Sequence, residues 1–482
     1  MDDSWPTSAA GTHRETGVDL HLDLRLDLPP GSSHGRRAGL ERALRDAVRG
    51  GRLAPGSRLP SSRRLAAETG LSRGTVKAAY DQLTAEGYLT ARQGSGTVVA
   101  ARPQEASPAV PGRPAGDRPP RHDLRPGSPD VTSFPASAWL RATRRALAAV
   151  PSASYDYGDP RGSAELRSAL AGYLGRTRGV VAEPDRIVVV SGYVQGLALL
   201  TGVLGGQRGG PVVGMEDPGL PFHREVVRRA GGRVVPVPVD GHGAGADLPR
   251  MDAVVVTPAH QYPTGVTLHP ARRHALTAWA QQSGGLVVED DYDGEFRYDR
   301  QPVGALQGTA PDHVVYLGTA SKTLGPALRL GWMVLPPHLV QPIAEAKLHT
   351  DYHTGAVGQL ALADLIADHG YDRHVRAARL RYRRRRDLLV ERLAGAPGRP
   401  GSQVLGIAAG LHALVSLPED GPDEAAVLRR AAAEGLAVGA LGEHWHAQGA
   451  AGRPQGLIVG YGTPGEGAYP AALAALTRAL RA

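Results

Sequence analysis

A chain of 482 residues with 55 basic and 47 acidic side chains and a formal net charge of +8 is too long for one ordinary hydrophobic core, so at least two folded units are expected. It has no cysteine, which excludes disulfides, thiolate metal sites and thiol catalysis and permits a reducing interior. The opening Met-Asp-Asp-Ser-Trp has no basic flank before an apolar stretch, and no apolar run reaches the ~20 residues of a membrane span, so a cytoplasmic protein with no membrane partner is expected.

Residues 1–35 are an acidic N-terminal tail, two Arg against six Asp or Glu, in which "VDLHLDLRLDL" alternates apolar and polar residues as a strand does. The positive excess is concentrated over residues 36–100, twelve basic against five acidic. A polyanion-binding unit requires such a concentration, although charge alone also describes a solvated face. The residue pattern narrows the choice. "AGLERALRDAVRGG" sets Leu40, Ala43, Leu44, Ala47 and Val48 at helical spacing and stops on Gly50-Gly51. In "LPSSRRLAAETGLSRGTVKAAYDQLTAEGYL", Ser61 opens a short helix, Gly70 makes a turn and Ser72 opens a second helix. Val76, Ala79, Tyr80 and Leu83 form the buried stripe of that second helix, which leaves Arg73 and Lys77 on the face that can enter a major groove. "YLTARQGSGTVVA" then predicts a β-hairpin with Gln93-Gly94 at its tip, completing a winged helix-turn-helix. Residues 101–122, dominated by Pro, Gly and Arg, predict an extended linker.

From residue 123 onward, helical stretches alternate with short β-branched runs: "RIVVV", "PVVGM", "GRVVPVPV", "AVVVTP", "GLVVEDD" and "HVVYLG". That order predicts an α/β domain with a mostly parallel sheet, whose ligands sit at the carboxyl ends of the strands. Unusual residues cluster there. "SGYVQGL" offers the amides of Tyr193 and Val194, with Gln195, to an anion at a helix N-terminus, and "EDDYDGEF" presents Asp290 and Tyr292. "GTASK" brings Thr319, Ser321 and Lys322, with Arg329 nearby. Only Lys77, Lys322 and Lys347 among the 55 basic residues are lysines. A chain this rich in arginine keeps lysine where a guanidinium cannot serve, and arginine cannot act as a nucleophile. Asp290, Tyr292 and Arg329 each also fit a structural role. Together with Lys322 they suit pyridoxal 5'-phosphate (PLP): an amine for the aldehyde in a Schiff base, a carboxylate for the ring nitrogen, and an anion cradle for the phosphate. No metal is expected.

Two families are resembled on these residues. Over 36–100 the helix, turn, helix and "GSGT" wing resemble the GntR-type DNA-binding domain, which implies Arg63 and Arg73 at phosphates or guanine edges, with Ser72 and Lys77 beside them and Gln93-Gly94 at the wing tip. "YGDPRGSAELRSALAGYL", "TPAHQYPTG", "EDDYDGEFRY" and "LGTASKTLGPALRLGW" resemble the fold type I, class I aminotransferase-like PLP domain, here 123–482 with a small subdomain from about residue 373. The combination resembles the MocR subfamily of transcription regulators. It implies Lys322 as the PLP lysine, Asp290 at the pyridine nitrogen, Tyr292 at the phenolate oxygen, and Tyr193, Val194, Thr319, Ser321 and Arg329 at the phosphate. It also implies a homodimer in which Tyr157 reaches the neighbouring site, an operator with two half-sites, and a response to PLP or to an amine or amino acid that reacts with it. Three positions depart from the enzymes of this fold. Leu220 replaces a ring-stacking aromatic, Tyr262 stands where asparagine is common, and "GLIVGYG" lacks the arginine that clamps a substrate carboxylate, with Arg453 the nearest candidate. They favour a sensor; the alternative is an active aminotransferase with a DNA-binding appendage.

Overall fold

Hydroxyl caps start the two helices of the DNA-binding motif. The Ser61 hydroxyl accepts the Arg64 amide at 3.2 Å to open α2 (Ser62–Thr69), and the Ser72 hydroxyl accepts the Thr75 amide at 3.1 Å to open α3 (Arg73–Ala85). Between them Gly70, at φ 68, takes the left-handed conformation that ends α2 and that a side chain would resist. A preceding helix, α1 (Ser33–Arg49), starts within the segment read as tail and buries Leu40, Leu44 and Ala47. These pack with Leu65 and with Val76, Ala79, Tyr80 and Leu83, the stripe expected of α3. Truncating Leu44 or Leu83 to alanine costs about 2–5 kcal/mol, a large part of what holds so small a unit together. The wing is antiparallel, β1 (Leu89–Arg92) against β2 (Gly96–Val99), with Leu89 opposite Val99. The computed structural model describes residues 33–92, 96–100, 120–206, 209–298, 303–394, 403–447 and 452–481. The alternating run from Val18 to Leu28 and the wing-tip residues Gln93 and Gly94 lie outside them. The chain divides into two units, Met1–Ala115 and Gly116–Ala482.

The second unit begins with a two-residue strand, β3 (His122–Asp123). Every apolar run read from the sequence then becomes a strand: β4 (Ile187–Val190), β5 (Val212–Asp217), β6 (Arg233–Asp240), β8 (Ala253–Val256), β9 (Leu286–Asp291) and β10 (Val314–Thr319). With β7 (Gly243–Ala244) and β11 (Gly331–Val334) they form one sheet in the order β4-β11-β10-β9-β8-β5-β6-β7. Pairing is parallel from β10 through β9, β8 and β5 to β6, and antiparallel where β11 joins β10 to β4 and where β7 joins β6. Alternate residues of β4 serve opposite faces. Ile187 and Val189 pack with Leu166, Leu170 and Tyr316, whereas Val188 and Val190 pack with Leu197, Leu200 and Met333. Burial on both faces is why β4, β8, β9 and β10 are largely apolar with their polar residues towards the ends, whereas β6, near the sheet edge, is only partly covered. A smaller antiparallel sheet follows, in the order β12 (Val404–Leu405), β13 (His412–Ser416), β16 (Gly456–Gly460) and β15 (Gly439–Ala440). β14 (Leu436–Ala437) pairs with β3, so His122 and Asp123 are part of this unit's pairing. Among the described residues no helix is long and apolar enough to cross a membrane.

Candidate functional site

The carboxyl ends of β5, β8, β9 and β10 open onto a cavity of about 390 Å³. Lys322, three residues beyond β10, is half-buried in its wall and donates from Nζ to the Gly127 carbonyl. Burial pulls this amine below the usual lysine range, against the opposing pull of Asp293 and Asp290, which raises the fraction able to act as a nucleophile. Asp290, near the end of β9, is 6 % exposed. Burial, then repulsion from Asp291 and Glu216, holds its carboxyl well above the ordinary range, and Lys322 pulls it down. Beside it Tyr193 is pushed up by burial and by Asp290, and its hydroxyl is buried without a hydrogen-bond partner.

At the other end the cavity meets the N-terminus of α4 (Tyr193–Leu204). The first amides of this helix, on Tyr193 and Val194, have no acceptor within it. Gly192 precedes them at φ 104, and a Cβ there would lie 3.3 Å from the Arg329 guanidinium. Glycine is needed for both reasons. Thr319 and Ser321 complete this end. The Thr319 hydroxyl donates to Ser321 Oγ at 2.8 Å and accepts the Ser321 amide at 3.1 Å. Gln195 does not take part as expected. Its Oε1 accepts the Ser191 amide at 2.7 Å and its Nε2 donates to Asp351 at 2.7 Å, so the carboxamide braces the loop from behind. Lys347 Nζ donates to the same Asp351 at 2.7 Å.

Tyr292 and Tyr262 both line the cavity, each with its hydroxyl engaged. Tyr292 donates to the His260 carbonyl at 3.0 Å, and the Tyr262 hydroxyl meets His444 Nε2 at 3.2 Å. His260 is braced in turn by Asp293 at 2.9 Å and lies ring to ring with His412 at 4.8 Å. His412 lines the cavity, and burial holds it well below its usual pKa, so it is neutral. His223 is neutral for the same reason, pushed down to about 3, and its ring centre lies 4.4 Å from that of Tyr193. These histidines, Glu216 and Arg224 were missed in the sequence, where none stands out from its surroundings. Leu220, read from the sequence as a departure from a ring-stacking aromatic, lines the wall. Arg453 is not in the cavity wall. It lies 4.6 Å over the Trp445 ring and donates to the Ala447 carbonyl at 2.8 Å. Tyr157 is also outside its own chain's cavity, 75 % exposed and 4.6 Å from the Tyr352 ring.

In the first unit Arg63, Ser72, Arg73 and Lys77 are all exposed. Ser72 is occupied in capping α3, while Arg73 and Lys77 are exposed alongside its buried stripe.

The residues of the cavity fit PLP. A buried carboxyl crowded by other acids suits a cationic ring nitrogen, and a half-buried amine suits an aldehyde. A guanidinium over a glycine at a helix N-terminus suits a phosphate.

Residues 125–443 match the family described as aminotransferase class I and II, and residues 37–99 match bacterial regulatory proteins of the gntR family. The HTH-type pyridoxine biosynthesis transcriptional regulator PdxR of Corynebacterium glutamicum is 35% identical over 461 residues, 92% of this chain and 96% of that one. The probable rhizopine catabolism regulatory protein MocR of Rhizobium meliloti is 34% identical over 394 residues, 77% of this chain and 78% of that one. Among solved structures, Pyrococcus horikoshii kynurenine aminotransferase in complex with PMP superposes with a TM-score of 0.67 at 26% identity, covering 74% of this chain and 90% of that one.

Proposed function

The chain belongs to the MocR subfamily of GntR-type transcription regulators, and on that premise we propose that its aminotransferase-like unit binds PLP through Lys322 and adjusts operator binding when PLP, or an amine or amino acid that reacts with it, is present. The observation that carries the reading is the meeting, in one cavity, of an amine with a lowered pKa, a buried carboxyl and an anion cradle. Bound PLP would supply an aldehyde that amines attack and a ring that withdraws electrons from the bond formed. Asp290 would keep the ring nitrogen protonated, the amides of Tyr193 and Val194, the hydroxyls of Thr319 and Ser321, and Arg329 would hold the phosphate, and Tyr292 and Tyr262 would serve the phenolate oxygen.

The 123–482 region forms a homodimer, and Tyr157, exposed on each subunit, reaches towards the neighbour's cavity. Residues 36–100 of each subunit read one half-site, with Arg63, Arg73 and Lys77 on phosphates and base edges, Ser72 beside them, and Gln93 and Gly94 at the wing tip. Residues 101–121 link the two regions, His122 being paired within the second, and the protein acts in the cytoplasm, where its DNA is. A sensor is favoured over an aminotransferase because Leu220 offers no stacking ring and Arg453 is held on Trp445 outside the cavity. Titrating the full chain onto its own promoter region, with and without PLP and across a range of salt, tests the reading. Salt-sensitive binding that PLP changes is expected. Salt-independent binding, or steady turnover of an amino donor and a keto acid without any PLP effect on DNA, would contradict it.

A further inference from the structure

Among the described residues three buried metal-ligating side chains come together: His260, Asp293 and His412, which are 3, 2 and 4 % exposed. His260 and Asp293 follow β8 and β9 at the carboxyl edge of the large sheet, and His412 is the first residue of β13 in the small one. No spacing in the sequence joins them, which is why no metal is expected from it. A ring nitrogen of each histidine and an oxygen of Asp293 lie within 4.8 Å of one another, with His260 Nδ1 only 2.9 Å from Asp293. Gly410 makes this approach of the two sheets possible. At φ 70, a Cβ on it would lie 2.2 Å from His260 Cε1 and 2.4 Å from the Asp293 carboxylate. The second imidazole is left unsatisfied: His412 Nε2 is buried and has no hydrogen-bond partner. Such an atom costs about 1–3 kcal/mol, and in a native site it calls for a partner such as a water or an ion.

We propose that His260, Asp293 and His412 bind a divalent transition-metal ion of the Zn2+ or Co2+ class, which ties the small sheet to the large one. Two imidazoles and a carboxylate are donors for such borderline cations, whereas Mg2+ and Ca2+ take oxygen ligands. The ion replaces the proton between Asp293 and His260 Nδ1 and gives His412 the partner it lacks. Donors ~2.1 Å from a tetrahedral ion sit roughly 3.4 Å apart, so the three have to draw together by little more than an ångström. Three protein ligands leave a fourth position for water, and the cavity whose wall includes His412 is the route of entry. None of the three residues is assigned to the cofactor, so the site stands whether or not PLP binds. Asp293 is the one carboxylate of the set, and Lys322 in the same wall opposes a further cation. The affinity should therefore be roughly micromolar, well short of a closed structural zinc site.

The test uses the full-length chain without an affinity tag, stripped of metal by a chelator and kept free of added PLP, which itself binds metal ions. Titration with Zn2+ is followed by calorimetry and by thermal unfolding, and titration with Co2+ by its visible spectrum. About one equivalent per chain is expected to bind and to raise Tm. His412→Gln and Asp293→Asn should each weaken binding by ~10- to 100-fold or more and remove most of the Tm rise. His242→Ala breaks an exposed pair in which the His242 and His269 rings lie 5.0 Å apart, and it should change neither readout. A wild type that binds more weakly than about 1 mM, or without a defined stoichiometry, overturns the proposal even if both site variants fail to fold. Binding that survives His412→Gln, or that disappears with His242→Ala, overturns it as well.

Discussion

Replacing Asp290 by asparagine keeps the shape of the side chain and removes its charge, so the effect should reverse in sign when PLP binds. Without PLP the carboxyl is 6 % exposed among Asp291, Glu216 and Asp293, and only Lys322 favours its ionised form. A pKa raised on folding means that the folded state holds the proton more tightly than the unfolded chain. The resulting stability is full below the unfolded pKa and is lost as pH rises through the folded one. D290N should therefore match the wild type in acid and be the more stable protein at pH 8, by about 1–3 kcal/mol, the usual penalty of a buried polar group without its partner. With PLP present the carboxylate gains a cationic N–H. That charge-assisted bond contributes about 1.5–3 kcal/mol, so D290N should bind PLP roughly 10- to 150-fold more weakly. Thermal unfolding at several pH values, with and without PLP, and an absorbance titration read both effects. A variant that is less stable at pH 8 yet binds PLP like the wild type would refute the partnership of Asp290 with the ring nitrogen.

Arg73→Ala should weaken specific DNA binding by about 1–3 kcal/mol if the guanidinium reads a base edge, while Lys77→Ala should lower the slope of affinity against salt by about 1 if the amine meets a phosphate. Titrations of operator and unrelated duplex at several salt concentrations separate the two, and unchanged binding by Arg73→Ala would mean that a different face of α3 contacts DNA. Glu216 is pushed up to about 7 by burial, with Thr257 and Gln261 donors pulling it back. Between the ordinary 4.5 and 7 the folded state keeps its proton and the unfolded chain does not, so stability falls by about 3 kcal/mol as pH rises across that window. Glu216→Gln should flatten this part of the Tm profile, and an unchanged slope would assign the proton elsewhere. Sedimentation of the full chain should give a dimer, and a monomer that still binds PLP would remove Tyr157 from the neighbouring site.

Local chemistry made much of this fold legible. Ser61 and Ser72 announce helices because a hydroxyl before an amphipathic run satisfies free amides, and the stripe from Val76 to Leu83 follows from helical periodicity alone. The β-branched runs of the second unit read as strands because both faces of the sheet are covered. Lys322 stood out by its rarity and Asp290 by its place at a strand end. Long-range contacts stayed hidden. β11 was not among the runs read as strands, since Gly331–Val334 is short and follows the Arg329 loop without a punctuating turn signal, and its antiparallel pairing is set by β4 and β10. Gln195 resembled an anion ligand until Asp351, 156 residues on, claimed its amide. Proximity to the C-terminal strand pointed to Arg453, yet the guanidinium that joins Arg329 in the cavity wall is Arg224, held by the carbonyls of His444 and Trp445.

The identity of the lysine that holds PLP tests the central claim most directly. PLP-loaded protein reduced with borohydride and digested should carry the cofactor on the peptide containing Lys322. Lys347, fully buried and bonded to Asp351, should stay unlabelled. Lys322→Arg keeps the charge and removes the nucleophile, so the variant should lack the absorption of lysine-bound PLP near ~420 nm and carry no label. It should still bind operator DNA and ignore added PLP. Label on Lys347, or a Lys322→Arg protein that keeps both its absorption and its response to PLP, would contradict the account.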